Sequence, residues 1–326
     1  MTLNAIPARQ NEPQFIRLLR ARSETYLRAT RLQVIQLIVT VAVPVVSAVI
    51  GLIFPHVRPC VAMIAIAVTL IDIAVLDRTM RRRLKTAALI CEEFDCKLLE
   101  MPWNRFAAGK HIEHEVITSA ERDWPNGDDK LLNWYPAAVG LAPMHLARII
   151  CQRTNLWYDA TLRERYGNLL LMAAGVIVIG LVSAGLGANL PFADFVVTIL
   201  APCAPLLSWA LRDAFKQRDA ADAQKTARSE AEALWDLAIT GGCAENECAR
   251  RSREFQNTIF QRRVANPLIL PFVYNRLRPG MEVDMNLGAE SLLSQIGIAV
   301  TPSLANSHNS QAVTSPSLTI TPKSTA

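Results

Sequence analysis

VIQLIVTVAVPVVSAVIGLIF, residues 34–54, is a run of 21 residues without one charged side chain. At 1.5 Å per residue, a helix of this length spans about 30 Å, the thickness of the hydrocarbon core of a bilayer. Pro44 interrupts the run, which a membrane helix accommodates as a kink, and Pro55 ends it. This stretch therefore predicts a first transmembrane helix.

Three further apolar runs repeat the pattern, at residues 60–76, 169–186 and 191–211. These three runs contain few charged residues. Asp72 lies about one turn before the end of the second run, and Asp194 lies near the start of the fourth. We therefore expect an all-α integral membrane protein with four transmembrane helices in two hairpins and a helical cytoplasmic domain.

The composition of the whole chain agrees with this fold class. Of its 326 residues, 51% are hydrophobic and 19% are charged, and the mean hydropathy is +0.20. Soluble globular chains carry roughly 25% charged residues, so this composition argues against a purely soluble enzyme and against a disordered chain. The net charge of +5 comes from bases that cluster beside the apolar runs, which suits a membrane surface better than a nucleic-acid groove.

The positions of the bases predict the orientation of the four spans. Arginine and lysine are dense before the first run, between the second and third runs, and after the fourth, whereas the two short hairpin loops together hold only Arg58. Bases concentrate on the cytoplasmic side of membrane proteins. We therefore expect a multi-pass membrane protein, with membrane lipid as a partner and with its N- and C-termini in the cytoplasm.

These runs and the segments between them divide the chain into six parts. They are a cytoplasmic amphipathic N-terminal helix (1–32), transmembrane hairpin 1 (33–76), a cytoplasmic middle region (77–168), transmembrane hairpin 2 (169–211), a cytoplasmic C-terminal helical region (212–300) and a disordered tail (301–326). Within the cytoplasmic parts, the patterns predict helices over residues 85–99, 213–239 and 245–264, and a weak strand signal over residues 268–274 that Pro271 opposes.

Chemistry-bearing motifs are scarce. The sequence has no phosphate-binding glycine loop and no nucleophile motif, so we expect no enzyme activity, no cofactor and no metal site. Asp72 has two interpretations. A carboxylate within a span suggests a polar pathway, which makes Asp72 a pore candidate, but it could also cap the helix end close to Arg78 and Arg81.

The middle region combines large aromatic residues with polar neighbours, in the segments NWYP (133–136) and RTNLWYD (153–159). Aromatic faces and an arginine can stack a nucleobase and hold a phosphate, but the same residues can equally form the core of a small helical domain. The candidate ligand-binding residues are Trp134, Tyr135, Arg153, Asn155, Trp157 and Asp159.

Several short motifs occur in a characteristic order around the four runs. They are IPARQNE (6–12), FDCKLLEMPWN (94–104), NWYP, CQRTNLWYDATLRERYG (151–167), REFQNTIFQRR (253–263) and FVYNRLRPGMEVDM (272–285). In this order the chain resembles the SMODS-associated four-transmembrane effector family of bacterial anti-phage defence, over roughly residues 5–295. Arg153, Asn155, Trp157 and Asp159 match one family motif.

The resemblance implies an effector that responds to a cyclic oligonucleotide second messenger or another infection cue. Such an effector would form homo-oligomers on activation and permeabilise the inner membrane, and no nucleic-acid polymer would be a partner. Two alternatives remain open. One is a constitutive ion channel or transporter, and the other is a membrane anchor for a signalling partner.

Overall fold

A computed structural model describes residues 3–43, 46, 50, 54, 56 and 58–298. The described part of the chain is helical and contains no strand. Its helices are α1 Ile6–Arg9, α2 Pro13–Leu37, α3 Arg58–Ile71, α4 Arg78–Leu98, α5 Arg105–Ala108, α6 His114–Arg122, α7 Met144–Gly187, α8 Phe192–Phe195, α9 Ala201–Ile239, α10 Glu245–Ala265 and α11 Pro271–Gln295. The all-α prediction is therefore confirmed for these residues.

The helices predicted at residues 85–99, 213–239 and 245–264 are confirmed, with α4 and α9 beginning earlier than expected. The weak strand signal at residues 268–274, which Pro271 opposes, does not correspond to a strand, and Pro271 begins a helix of 25 residues. Proline is tolerated at the first position of a helix, where its missing N–H has no partner to lose. The same helix then continues through Pro279.

Several helices are long because an apolar run and the polar segment next to it form one continuous helix. α7 contains 44 residues, and its N-terminal half is polar while its C-terminal half is the third apolar run. α3 and α4 are joined by a π-helical segment, Asp72–Asp77, and α8 and α9 by another, Val196–Leu200. α2 continues into a third, Ile38–Ala42. Each apolar run is therefore joined without a loop to a helix of the polar part.

The transmembrane prediction is supported only in part. One described helix, α7, is long and apolar enough to cross a membrane by itself. The second and fourth runs are divided by π-helical segments, and much of the first run, including Pro44, lies outside the described residues, as does the tail 301–326. Large apolar side chains on these runs are exposed, among them Met63 (72%) and Val176 (69%), so no other part of the described chain covers them.

The main hydrophobic core lies outside the four apolar runs and is built from segments that are far apart in the sequence. Phe15 of α2 packs its ring edge-on against Phe94 of α4, with ring centroids 5.7 Å apart. Tyr135, Ile150 of α7 and Trp235 of α9 belong to the same buried cluster. Residues from the N-terminal, middle and C-terminal regions therefore form one core and hold the long helices side by side.

Candidate functional site

A cavity of about 630 Å³ lies among α2, α4, α7, α9, α10 and α11, with the loop 124–134 along one side. Small-molecule sites generally have volumes of about 300–1,000 Å³. Four of its wall helices, α2, α4, α7 and α9, are those that continue into the apolar runs. The cavity therefore lies against the polar ends of all four.

The predicted residues on α7 line this cavity only where they lie on the face of the helix that is turned toward it. Asn155 and Asp159 are four residues apart, lie on the same face of the helix and line the cavity. Arg153 and Trp157 form another four-residue pair, about 160–200° around the helix, and do not line it. The motif RTNLWYD thus presents two different surfaces.

Trp134 lines the cavity, whereas its neighbour Tyr135 does not. The guanidinium of Arg22 lies 4.2 Å from the centroid of the Trp134 ring. Arg22 and Tyr26 are one turn apart on α2, and both line the cavity. An aromatic ring and a cation therefore occur together at this wall, as the sequence predicts for a nucleotide site. The cation is Arg22, whereas the sequence pointed to Arg153.

Asp159 joins three segments of the cavity wall. Its Oδ2 accepts hydrogen bonds from Arg163 Nε (2.8 Å), Gln224 Nε2 (2.6 Å) and Asn266 Nδ2 (3.2 Å). Burial opposes ionisation of Asp159, but attraction and hydrogen bonds from Arg163 outweigh it, so the pKa of the carboxyl lies below its ordinary value. The predicted ligand residue is thus an ionised carboxylate that links α7 to α9.

Behind the cavity lies a buried network centred on Asp95. Asp95 Oδ1 accepts a hydrogen bond from Tyr135 Oη at 2.7 Å, and its Oδ2 pairs with Arg263 Nη1 at 2.5 Å and accepts from Gln256 Nε2 at 3.0 Å. Asn155 Nδ2 donates to Tyr135 Oη at 2.8 Å. Burial lowers the pKa of the Arg263 guanidinium, but attraction to Asp95 outweighs it and the pKa is raised. Two cavity residues, Asn155 and Arg263, are therefore connected through buried groups.

Arg153 lies at a second, smaller cavity of about 260 Å³. Its Nε pairs with Glu232 Oε1 at 2.9 Å, and Trp235 and Gln295 also line this space. Trp157 is half-buried and lies outside both cavities. The six predicted ligand residues are therefore not brought together, and their role as a ligand set stays a prediction.

Asp72 is 7% exposed and begins the π-helical segment between α3 and α4. The side chain of Gln36 on α2 hydrogen-bonds to its carboxylate, and within the described residues Oδ1 has no hydrogen-bond partner. Arg81 pairs with Asp77 instead, at 2.8 Å. Asp72 thus joins the first two apolar runs, an arrangement that the sequence alone did not indicate.

Arg22 and Tyr26 are cavity residues that the sequence did not suggest, whereas Tyr158 lies in the segment RTNLWYD but was not one of the six candidates. The only pattern that could have pointed to Arg22 and Tyr26 is their four-residue spacing on a polar helix, which is common on solvated surfaces. Arg263 was visible within a family motif, but nothing in the sequence placed it beside Asn155.

The sequence model of the SMODS-associating 4TM effector domain matches residues 4–292. The chain belongs to this family. A probable CBASS effector molecule of Bacillus cereus (strain VD146) is 24% identical over 289 residues, which cover 83% of this chain and 88% of that protein. No solved structure matches the chain. The family recognised from the ordered motifs is therefore confirmed, and the match extends over both apolar hairpins and the cavity.

Proposed function

We propose that this 4TM effector acts in bacterial anti-phage defence as a nucleotide-activated membrane protein. A cyclic oligonucleotide second messenger binds in the central cavity, the protein oligomerises, and the inner membrane becomes permeable. The protein itself catalyses no reaction in this scheme. Support comes from its family and from a relative described as a probable CBASS effector molecule.

One observation carries this proposal: four of the helices that line the cavity, α2, α4, α7 and α9, continue without a loop into the apolar runs. A ligand that draws the cavity walls together changes the angle between those helices. Because α7 is one helix over 44 residues, a tilt at Asn155 is transmitted to its apolar end. Ligand binding in the cavity and rearrangement in the membrane are then coupled by one rigid-body movement of the helix.

The scheme requires four spans in the inner membrane, with both termini and the cavity in the cytoplasm. Reporter fusions test this topology. Fusions near Asn126 and after Ala326 should give a cytoplasmic signal, and fusions at Arg58 and Asn189 a periplasmic one. A periplasmic signal at Asn126 would reverse the orientation and remove the cavity from the messenger.

Permeabilisation requires several copies. The apolar runs carry few polar side chains, so the four helices of one subunit cannot enclose a water-filled path. Shifting a closed population from about 1% to 99% open takes roughly 5.5 kcal/mol of differential affinity. Several subunits that each bind one ligand supply this together.

The deciding experiment uses the purified full chain in dye-loaded liposomes, with nucleotides extracted from cells that express an active partner synthase. We expect dye release and higher-order crosslinks with this extract, and neither with an extract from a catalytically dead synthase. Release without any nucleotide would instead favour a constitutive channel. Nucleotide binding without release would favour a membrane anchor.

A further inference from the structure

The charged groups of the central cavity are not all neutralised. Five cationic side chains line it, and three of them are paired with a carboxylate. The three pairs are Arg163 with Asp159 at 2.8 Å, Arg263 with Asp95 at 2.5 Å and Arg278 with Glu282 at 2.5 Å. Among the described residues, no carboxylate lies within ion-pair distance of Arg22 or Lys130.

These two cations give the cavity a positive excess. Its lining holds five cations and the three carboxylates of Asp129, Asp159 and Glu282, and Asp95 neutralises Arg263 from behind the wall. The net excess is therefore one positive charge, but two cations have no carboxylate partner among the described residues. Both unpaired cations can move toward a ligand, because Lys130 is exposed and Arg22 is half-buried. A ligand with two separate phosphates could contact both unpaired cations.

The stacking of Arg22 on Trp134 also suits the binding of a nucleotide. The guanidinium of Arg22 lies over the Trp134 ring, and its hydrogen bond from Nη2 to Ser23 Oγ is long at 3.4 Å. A guanidinium can stack through its face while its N–H edge donates to phosphate oxygens. The stacked pair therefore offers a phosphate contact and an aromatic surface side by side.

Further aromatic side chains line the same cavity, namely Tyr26, Trp124, Tyr158 and Tyr274. A purely inorganic anion would use the cations but not these rings. A ligand that carries both phosphates and flat bases uses both, since every base has a face that stacks on an aromatic ring.

We propose that the central cavity is a receptor site for a cyclic dinucleotide, with Arg22 and Trp134 as its recognition pair. Arg22 contacts one phosphodiester, Lys130 contacts the other, and one base stacks on Trp134. The two phosphodiesters match the two unpaired cations, one of which a cyclic mononucleotide would leave without a phosphate. This inference rests on the proposed function and names the class of its activating ligand.

Calorimetry on the full chain in detergent micelles tests the proposal. The probes are cyclic di-AMP, cyclic di-GMP and cyclic GMP–AMP, with cyclic AMP and pyrophosphate for comparison. We expect at least one of the three dinucleotides to bind with a Kd below 100 µM. Cyclic AMP, which has one phosphate, and pyrophosphate, which has no base, should bind at least about tenfold more weakly.

Three variants separate recognition from folding. Arg22→Gln should weaken dinucleotide binding by about tenfold or more, and Arg22→Lys should lie between it and the wild type. Arg17→Gln is the matched control. Arg17 lies on the same helix, pairs with Glu121 at 2.9 Å and does not line the cavity, so this change should leave the Kd unaltered. Circular dichroism and the Tm of each variant show whether it is folded.

Two results would overturn the assignment: an unchanged Kd in folded Arg22→Gln, or no binding of any of the three dinucleotides. The liposome assay with synthase extract keeps this failure apart from failure of the proposed function. If extract releases dye from wild-type and Arg22→Gln liposomes alike, the site is wrong while the function stands. If active extract releases no dye from wild-type liposomes, the function itself fails.

Discussion

Tyr135 donates a hydrogen bond from its hydroxyl to Asp95 Oδ1 at 2.7 Å, and both side chains are 1% exposed. The sequence suggested Tyr135 as a ligand residue because it follows Trp134. In the fold these neighbours face different surroundings, with Trp134 at the cavity and Tyr135 in the core behind it. The first prediction concerns this buried pair.

Tyr135→Phe should lower the free energy of unfolding by about 1–3 kcal/mol, because it leaves the buried Asp95 Oδ1 without a donor. Thermal unfolding in detergent micelles measures the loss. The companion variant Asn155→Ala should cost less, since Asn155 is half-buried and its removal leaves the bond between Tyr135 and Asp95 intact. Equal stability of Tyr135→Phe and the wild type would show that the bond contributes nothing.

Gly185 provides a second prediction, on the packing of the second apolar hairpin. A Cβ at this position would lie 2.5 Å from Cδ2 of Phe195, so Gly185→Ala must displace the ring. We expect a loss of about 1–3 kcal/mol, seen as a lower Tm in micelles. Gly180→Ala is the matched control on the same helix, because no atom of the described residues lies within 4 Å of a Cβ at this position. A similar Tm for both variants would mean that the contact between Gly185 and Phe195 does not form.

Cys248 gives a pH-dependent prediction. Burial, followed by the hydrogen bond from its thiol to Cys243 Sγ at 2.9 Å, raises the pKa of Cys248 to about 12. The thiolate is the reactive form, so its fraction should still rise tenfold per pH unit at pH 10. An ordinary thiol, with a pKa of about 8.5, reaches its plateau near pH 9 to 10.

Iodoacetamide labelling of Cys248, followed by mass spectrometry, measures this rise in native protein. The Cys243→Ser variant should show nearly the same profile, because burial is the larger cause of the shift and remains. Denatured protein is the control for an ordinary thiol. A plateau near pH 9 in the native protein would contradict the raised pKa.

Asp72 allows a test of the pathway. Asp72→Asn removes the charge while an amide can still hydrogen-bond to Gln36, so folding should be retained. If Asp72 faces the conducting path, as we expect, cation leakage through activated protein should fall. Asp77→Asn is the control, because it removes a carboxylate five residues away whose ion pair with Arg81 is exposed and contributes little. Equal leakage in the two variants would assign Asp72 to helix packing alone.

The sequence predicted the helices well and the cavity poorly, for a physical reason. Apolar runs and helix periodicity are local, so the run 169–186 and the helices at 85–99, 213–239 and 245–264 could be inferred from short stretches, whereas the polar half of α7 was not predicted. The cavity instead joins Arg22, Trp134, Asn155 and Arg263, which are separated by up to 241 positions. No short motif records such an arrangement. The π-helical segments were also missed, since nothing in the composition of residues 72–77 differs from an ordinary helix.

The last prediction tests whether α7 works as a rigid lever between the cavity and the membrane. Glu164 and Arg165 are exposed and lie between Asp159 at the cavity and the start of the third apolar run. Replacing both with glycine lowers the stability of the helix at this point by about 1 kcal/mol per residue relative to alanine. Neither position lines the cavity.

Replacing both with alanine removes the same ion pairs, to Lys225 and Asp284, but keeps the helix stiff. We therefore expect both double variants to bind nucleotide with wild-type affinity, measured by calorimetry. Only the alanine variant should release dye from liposomes at the wild-type rate. Full release by the glycine variant would mean that α7 does not transmit the signal. The loop-free junctions of α2, α4 and α9 with their own apolar runs would then be the remaining routes from the cavity to the membrane.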